Sequence, residues 1–356
     1  MTFIEQLQIP NLCVPEATGN RQNPKSSGND EDILPKKLRK ADLTDDIILN
    51  HLDQYNVPGD APIFVSYGGG TNSTAMLIAM WLKGIKPEAI FFADTGGERP
   101  ETYEFIKMFS TWLTERGFPE ITVVKYIQKK RRPRTMLIAK RINIQFKSFE
   151  FGYTDLILTV FQNFRQYIKY TTLEEECLLL NGLPSRAFGL GSCSAKWKIR
   201  ETQKACLSIL KKKNYTGLVK MIIGYHAGEK SRLIDRSGKL REIKNEKVLV
   251  SDFPLIRWNI NQDNCQALLD WAGLKVSKSA CFFCPNAKPH EVIELREKYP
   301  DLYQRACDIE KNFRGDGSGS VVGLGRDWKW SEIDSLPEYK RNTLNYRTRK
   351  CSCTDE

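Results

Sequence analysis

The sequence predicts an α/β protein: a parallel sheet with helices on both faces, followed by a mostly helical, cysteine-bearing C-terminal part. Three observations lead there. The short apolar runs Ile63-Phe64-Val65-Ser66 and Ala89-Ile90-Phe91-Phe92-Ala93 have the length and composition of strands buried on both faces. Segments of helical period separate them, so strand and helix alternate from residue 61 to residue 126. Polar clusters follow the first two strands directly, at the carboxyl ends where open parallel sheets bind their ligands.

Each element has its own justification. Residues 14–36 are rich in Asn, Ser, Gly, Pro and charge, which makes residues 1–40 a flexible N-terminal segment. Ile47, Ile48 and Leu52 recur at helical spacing and predict a short helix over residues 45–55. After the first strand comes the glycine-rich turn Tyr67-Gly68-Gly69-Gly70-Thr71-Asn72-Ser73, then a helix over 74–83 carrying Met76, Leu77, Met80 and Trp81. The second strand ends at Asp94, and a helix over 101–116 leads to a strand over 121–126. Residues 148–192 read as helix and loop, 218–224 as another strand, and 247–255 as a last extended piece. These close a nucleotide-binding α/β domain over 41–260. The remainder, 261–356, reads as a helical subdomain interrupted by Cys281-Phe282-Phe283-Cys284-Pro285.

Composition narrows the class. A 41% apolar content supplies a sizeable core, and no apolar run approaches the roughly 18 residues of a membrane helix. With no charged-then-apolar leader, a cytoplasmic protein without membrane contact is expected. There, ten cysteines point to metal, cluster or thiol chemistry before disulfides. The net charge of +11 suits nucleic acid or phosphorylated small molecules. From Lys125 to Lys147, nine of 23 residues are basic and none is acidic, a nucleic-acid contact or a solvated loop. With only three histidines, no Ser/His/Asp constellation can be assembled.

Glycines between a strand and a helix let backbone N–H groups approach a phosphate, and the helix N-terminus favours the anion. Thr71, Asn72 and Ser73 add side-chain donors there. The loop lacks Gly-x-Gly-x-x-Gly and a Walker lysine, so it is neither a dinucleotide fingerprint nor a P-loop. Asp94, at a strand end, has the chemistry to contact a ribose or a metal, or to cap the following turn. Glu229 and Arg232 form either a solvated charge pair or a clamp for phosphate or sulfate. Cys281-x-x-Cys284 has a spacing that suits zinc or an iron–sulfur cluster, though one such pair is half a site.

Four segments carry a resemblance. Ser66-Tyr67-Gly68-Gly69-Gly70-Thr71-Asn72-Ser73 resembles the pyrophosphate loop of the adenine nucleotide alpha hydrolases, the PP-loop superfamily. Phe92-Ala93-Asp94-Thr95-Gly96 with Pro100-Glu101-Thr102 is similar to a segment of its PAPS (phosphoadenylyl-sulfate) reductase-like members. Gly224 to Arg232 and Phe253-Pro254-Leu255-Ile256-Arg257-Trp258 match two further stretches, the second a strand in that family. Aligned on the glycines, Gly68 replaces the family's first Ser and Asn72 its Asp.

The resemblance implies an enzyme that binds ATP or an adenylyl nucleotide and cleaves at the α-phosphate to activate an acceptor. Sulfur transfer to nucleic acid, with a sulfur-donor protein as partner, is one such use. Ser66, Gly68, Gly69, Gly70, Thr71, Asn72, Ser73, Asp94, Thr95, Gly96, Gly224, Glu229 and Arg232 would bind the nucleotide, with Mg2+. Asp94, Arg232 and Cys353 would serve catalysis, Cys353 as a thiol in a basic tail beside Cys351. Cys193 looks like the first cluster cysteine of adenylyl-sulfate reductases, Ser192 replacing its neighbour. With Cys281 and Cys284 it would hold a [4Fe–4S] cluster or Zn2+, the fourth ligand being Cys265 or His290. The alternatives are a sulfonucleotide reductase acting on PAPS or adenylyl sulfate, and a non-catalytic nucleotide sensor or nucleic-acid-binding protein.

Overall fold

A computed structural model describes residues 39, 42–126, 170–184, 191, 193–235, 237–315 and 321–337. The N-terminal segment, most of the basic stretch beyond Lys125, and the tail with Cys351 and Cys353 lie outside the described residues. The fold is α/β, built on a six-stranded, mostly parallel sheet.

In chain order, helix α1 (Asp45–Asp53) precedes β1 (Ile63–Tyr67), α2 (Thr71–Leu82), β2 (Ala89–Asp94), α3 (Pro100–Thr114) and β3 (Ile121–Lys125). Then come α4 (Leu173–Leu180), a π-helical turn Ser194–Ile199 running into α5 (Arg200–Lys212), and β4 (Val219–Ile223). A 3-10 turn over Ala227–Leu233 leads to β5 (Lys244–Asn245), β6 (Leu249–Asp252) and the single turn α6 (Pro254–Arg257). Helices α7 (Gln262–Trp271), α8 (Pro289–Lys298) and α9 (Pro300–Asn312) follow, with a final 3-10 turn at Trp330–Ser335.

The strand order is β3-β2-β1-β4-β6-β5, parallel throughout except for the edge strand β5. Val65 sits opposite Ile90 on one side and Ile222 on the other. The chain builds outward from β1 to β3, then crosses back to β4 and builds the other way. The carboxyl ends of β1 and β4 therefore flank the topological switch point, where such sheets leave a crevice.

Of the four apolar cores among the described residues, two bear on the site. The first packs α2, α3 and α7 against the sheet through Met76, Met80, Phe105, Phe109, Leu268 and Leu269. The second gathers Trp197, Phe282, Phe283, Leu295, Ile309 and Trp330 beneath α4, α8 and α9. Helix α7, read from sequence with the C-terminal part, contributes to the first of these.

Two expectations are corrected. Helix α2 begins at Thr71, so Thr71, Asn72 and Ser73 form its first turn rather than the preceding loop. Gly70, extended at φ −106° and ψ 177°, is the N-cap, and the Thr74 hydroxyl donates to its carbonyl at 3.0 Å. The segment around Pro254 is a helical turn, not part of an extended piece. Pro254 stands where its missing N–H costs nothing and its fixed φ favours a helix start.

The C-terminal loop hangs on one buried carboxylate. Glu310 accepts hydrogen bonds from the amides of Leu324 (2.7 Å), Trp330 (3.0 Å) and Ser331 (3.2 Å) and from the Ser331 hydroxyl (3.1 Å). Glu310→Ala would strand buried donors, so we expect a loss of roughly 2–4 kcal/mol in unfolding free energy. Urea denaturation reads it; an unchanged midpoint would refute the role.

Candidate functional site

The glycine loop leaves β1 at Tyr67. Gly69 has φ +74°, and a Cβ there would lie 3.3 Å from the Ser279 hydroxyl and 3.4 Å from the Phe92 ring. Backbone conformation and space both call for glycine. The N-terminus of α2 has no side-chain cap and no acidic residue in its first turn. Its amides and dipole present positive potential at the crevice. The Ser73 hydroxyl accepts from the Gly68 amide (3.3 Å) and donates to the Gly70 carbonyl (3.1 Å), bracing the loop from within. Ser66 lies inside β1, one residue short of its end.

Across the switch point, β4 ends against this loop. A Cβ on Gly224 would stand 2.8 Å from Ser73 Cα and 3.0 Å from its backbone nitrogen, so the two backbones pack with no room for a side chain. The 3-10 turn that follows is capped by His226, whose Nδ1 accepts from the Gly228 amide at 3.0 Å. That role leaves the ring proton of the neutral form on Nε2. Glu229 is buried; it accepts from Asn72 Nδ2 (3.2 Å), the His226 amide (3.2 Å) and Arg232 (2.9 Å). The Arg232 guanidinium lies over the Tyr225 ring at 3.8 Å, and Tyr225 stacks on Phe253. The structure thus brings Gly68, Gly69, Gly70, Thr71, Asn72 and Ser73 together with Gly224, Glu229 and Arg232.

Asp94 plays a different part. It is buried at the end of β2, where Oδ1 accepts from the Gly96 amide and the Tyr103 hydroxyl, both at 2.7 Å. Lys125 approaches Oδ2 at 3.2 Å. Oδ1 holds the turn, while Oδ2 faces the exposed Lys125 of β3. Burial, then the bond to Asp94, pushes the Tyr103 phenol well above its ordinary pKa, so it donates as a neutral group. Gly96 has φ +73°, and a Cβ on it would meet Thr172 Cβ at 2.8 Å, so this turn also seats the start of α4. Thr95, fully buried, shares a hydrogen bond with the Cys281 thiol at 3.0 Å.

The cysteine segment is tied to the same loops. Glu98 pairs with Cys281 across an isolated antiparallel bridge, and the Phe282 amide donates to the Gly97 carbonyl at 2.7 Å. The Glu98 carboxylate is buried and meets Lys198 at 3.2 Å. Ser279 donates to the Gly68 carbonyl at 2.7 Å and lies 3.2 Å from Glu98 as well. Burial opposes the charge on Lys198, but Glu98 and the nearby Cys281 and Cys193 outweigh it and hold the ammonium protonated. Burial, then Glu98, pushes the Cys281 thiol up, against the pull of Lys198.

The structure divides the expected ligands between two cores. Cys193 and Cys281 border the second core, with Cys284 a turn beyond Cys281. Cys265 lies instead in the first core, wholly buried on the inner face of α7 among Leu268 and Leu269, its thiol pushed up to about 12 by burial. A helix face packed against α2 cannot also face the cysteine segment. Among the described residues, no three His, Cys, Asp or Glu side chains converge on one point suited to a metal ion. Cys177, overlooked in the sequence, is a third thiol of the second core; burial raises it to about 12, and Cys193 is among its electrostatic neighbours. Its only sequence signal is a buried-face position on α4, which any core cysteine shares. Glu98, Lys198 and Ser279 were also missed, because they act between segments distant in sequence.

No family model matches the chain. Over 109 residues it is 25% identical to the uncharacterized protein MJ0973 of Methanocaldococcus jannaschii, a match covering 25% of this chain and 26% of the relative. The chain thus matches about a quarter of that relative's length. Among solved structures, it is similar to the U34-tRNA thiolase NcsA from Methanococcus maripaludis with its [4Fe-4S] cluster. That likeness covers 82% of this chain and 86% of the other at 12% identity, with a TM-score of 0.34. No described helix is long and apolar enough to cross a membrane.

Two substitutions test this geometry. Gly224→Ala forces β4 away from Ser73, and we expect a loss of about 1–3 kcal/mol in stability, as for overpacking. Chemical denaturation checks it; wild-type stability would mean that the contact yields freely. Glu98→Gln leaves Lys198 beside two thiols without its counter-charge. The expected cost is about 2–3 kcal/mol, below that of a wholly buried pair because Lys198 keeps partial access to solvent. Glu98→Gln with Lys198→Met should recover much of it, and strictly additive losses would count against the pair.

Proposed function

We propose that the protein is an adenine-nucleotide-binding enzyme of the PP-loop kind, related to the PAPS reductase-like proteins. It holds ATP at the carboxyl ends of β1 and β4 and cleaves it between the α- and β-phosphates to activate an acceptor. The observation that carries this reading is a juxtaposition: an uncapped helix start and a glycine loop pack against the end of β4, whose following turn supplies Arg232. Backbone N–H groups of residues 68–73 would hold the pyrophosphate. An acceptor oxygen attacks the α-phosphorus, the bond to the bridging oxygen breaks, and pyrophosphate leaves as the adenylate forms. Negative charge gathers on the leaving group, where the α2 dipole and Arg232 offset it. Asp94, with Thr95 and Gly96, shapes the wall of the crevice beside the cysteine segment.

Among the described residues no three His, Cys, Asp or Glu side chains converge on one point suited to a metal ion, and no step is routed through a metal or cluster. A nucleic acid is the proposed acceptor, with sulfur transfer as the process served and a sulfur-donor protein as a further partner. Its support is charge: Lys125, exposed at the end of β3, leads into the basic stretch up to Lys147. The engaged carboxylate of Asp94 and the amide at position 72 favour, as a second reading, a protein that binds nucleotide without turnover. A sulfonucleotide reductase would depend on Cys353, outside the described residues.

The test uses the anaerobically purified full chain with Mg-ATP labelled at the α-phosphate, with and without nucleic acid. Formation of AMP and pyrophosphate, lost in Arg232→Ala, is the expected result. ATP binding without AMP under any condition would overturn the enzyme reading in favour of the sensor. Reduction of PAPS without cleavage of ATP would identify the reductase.

A further inference from the structure

We infer that Glu229 is a positioning residue: it holds Asn72 and Arg232 as a matched pair around the anion site and requires an uncharged amide at position 72. This rests on the nucleotide reading above and goes further, because it says which side chain sets the anion-binding geometry. Glu229 lies on the turn after β4, whereas Asn72 lies in the first turn of α2, 157 residues earlier. Its buried carboxylate spans the switch point. Oε2 takes the Asn72 amide and the His226 backbone N–H, and Oε1 takes Arg232. His226 Nε2 stands 3.7 Å from Oε2, and Cys265 is the other titratable group that feels the charge, from α7.

Two consequences follow. Asn side chains near a helix start tend to bond to the helix's own free amides. Drawn aside to Glu229, the Asn72 side chain is not turned back onto those amides, and the N-cap residue Gly70 has no side chain to cap them. A carboxylate at position 72 would face Glu229 at the same 3.2 Å separation, where two anions cannot share a site without one taking up a proton. Glu229 would then lose its grip on Arg232, whose guanidinium is set flat on Tyr225 by the same ion pair. The ligand so recognised is a phosphate-containing anion, bound by backbone amides on one side and a fixed guanidinium on the other.

A double-mutant cycle in the full chain tests this, with ATP as the probe. Asn72→Asp should weaken ATP binding about tenfold or more, and Glu229→Gln only about threefold, since its carbonyl still accepts from Arg232 and a flipped Asn72 amide accepts from its NH2, while the His226 N–H loses its acceptor. Combining them restores a carboxylate–amide pair in reverse, so the double variant should bind ATP more tightly than Asn72→Asp alone. Equilibrium dialysis reads affinity, and urea midpoints on the same proteins report folding. A double variant as weak as Asn72→Asp, or weaker, overturns the inference. So does recovery of the urea midpoint without recovery of affinity, since the pair would then be merely structural. Absence of ATP binding by the wild type defeats the nucleotide reading itself and takes this inference with it, an outcome visible before any variant is made.

Discussion

The contact on which the rest of the site depends is the packing of the β4 end against the first turn of α2. Gly224 has no Cβ because Ser73 backbone occupies its place. This close approach brings two polar segments, separated by some 150 residues of chain, to one edge of the sheet. Only then can Glu229 reach Asn72 and Arg232 stand across from the glycine loop. The parallel order of strands creates the crevice; the missing side chain sets its width. Glycine acts here through space rather than through a left-handed backbone, in contrast to Gly69, which needs both.

Much of the fold was legible because its signals are local. Buried strands such as Ala89–Asp94 are continuous apolar runs, and α3 has a clear 3.6-residue period, whereas α2 is buried at every position from Ser73 to Met80. The start of α2 was misread for a physical reason. Thr71, Asn72 and Ser73 are turn-favouring residues, and their helical placement comes from Gly70 and the hydroxyls of Ser73 and Thr74 bonding to its carbonyl. The Pro254 segment misled in the other direction, since apolar β-formers around a proline look extended until the chain must turn off the sheet.

The site was legible in its parts and not in its wiring. Glycine loop, Glu229 and Arg232 could be named from motifs, but the bond from Asn72 to Glu229 joins groups that no local pattern relates. Asp94 could likewise be named from its place at a strand end, but its bonds to Tyr103 and Lys125 join it to elements that no local pattern relates. Cys265 looked available by count alone, and only the direction of α7 puts it in a separate core.

The Glu98–Lys198 pair explains how the cysteine segment and the glycine loop share a geometry. A buried ion pair adds little net stability, because desolvation offsets most of its attraction. Its consequence here is registration. Glu98 bridges to Cys281 through the backbone, reaches Lys198 with its carboxylate and meets Ser279, which in turn bonds to the Gly68 carbonyl. One carboxylate therefore fixes three segments, from residues 98, 198 and 279–281, against the start of the glycine loop. Exchange of this group for an apolar one of equal volume could keep the core filled, but it would remove the directional bonds that align loop and thiols. The Gly68 carbonyl, Ser279, the Glu98 carboxylate and the Lys198 ammonium are in consequence one hydrogen-bonded unit, which the backbone of Cys281 joins through its bridge to Glu98.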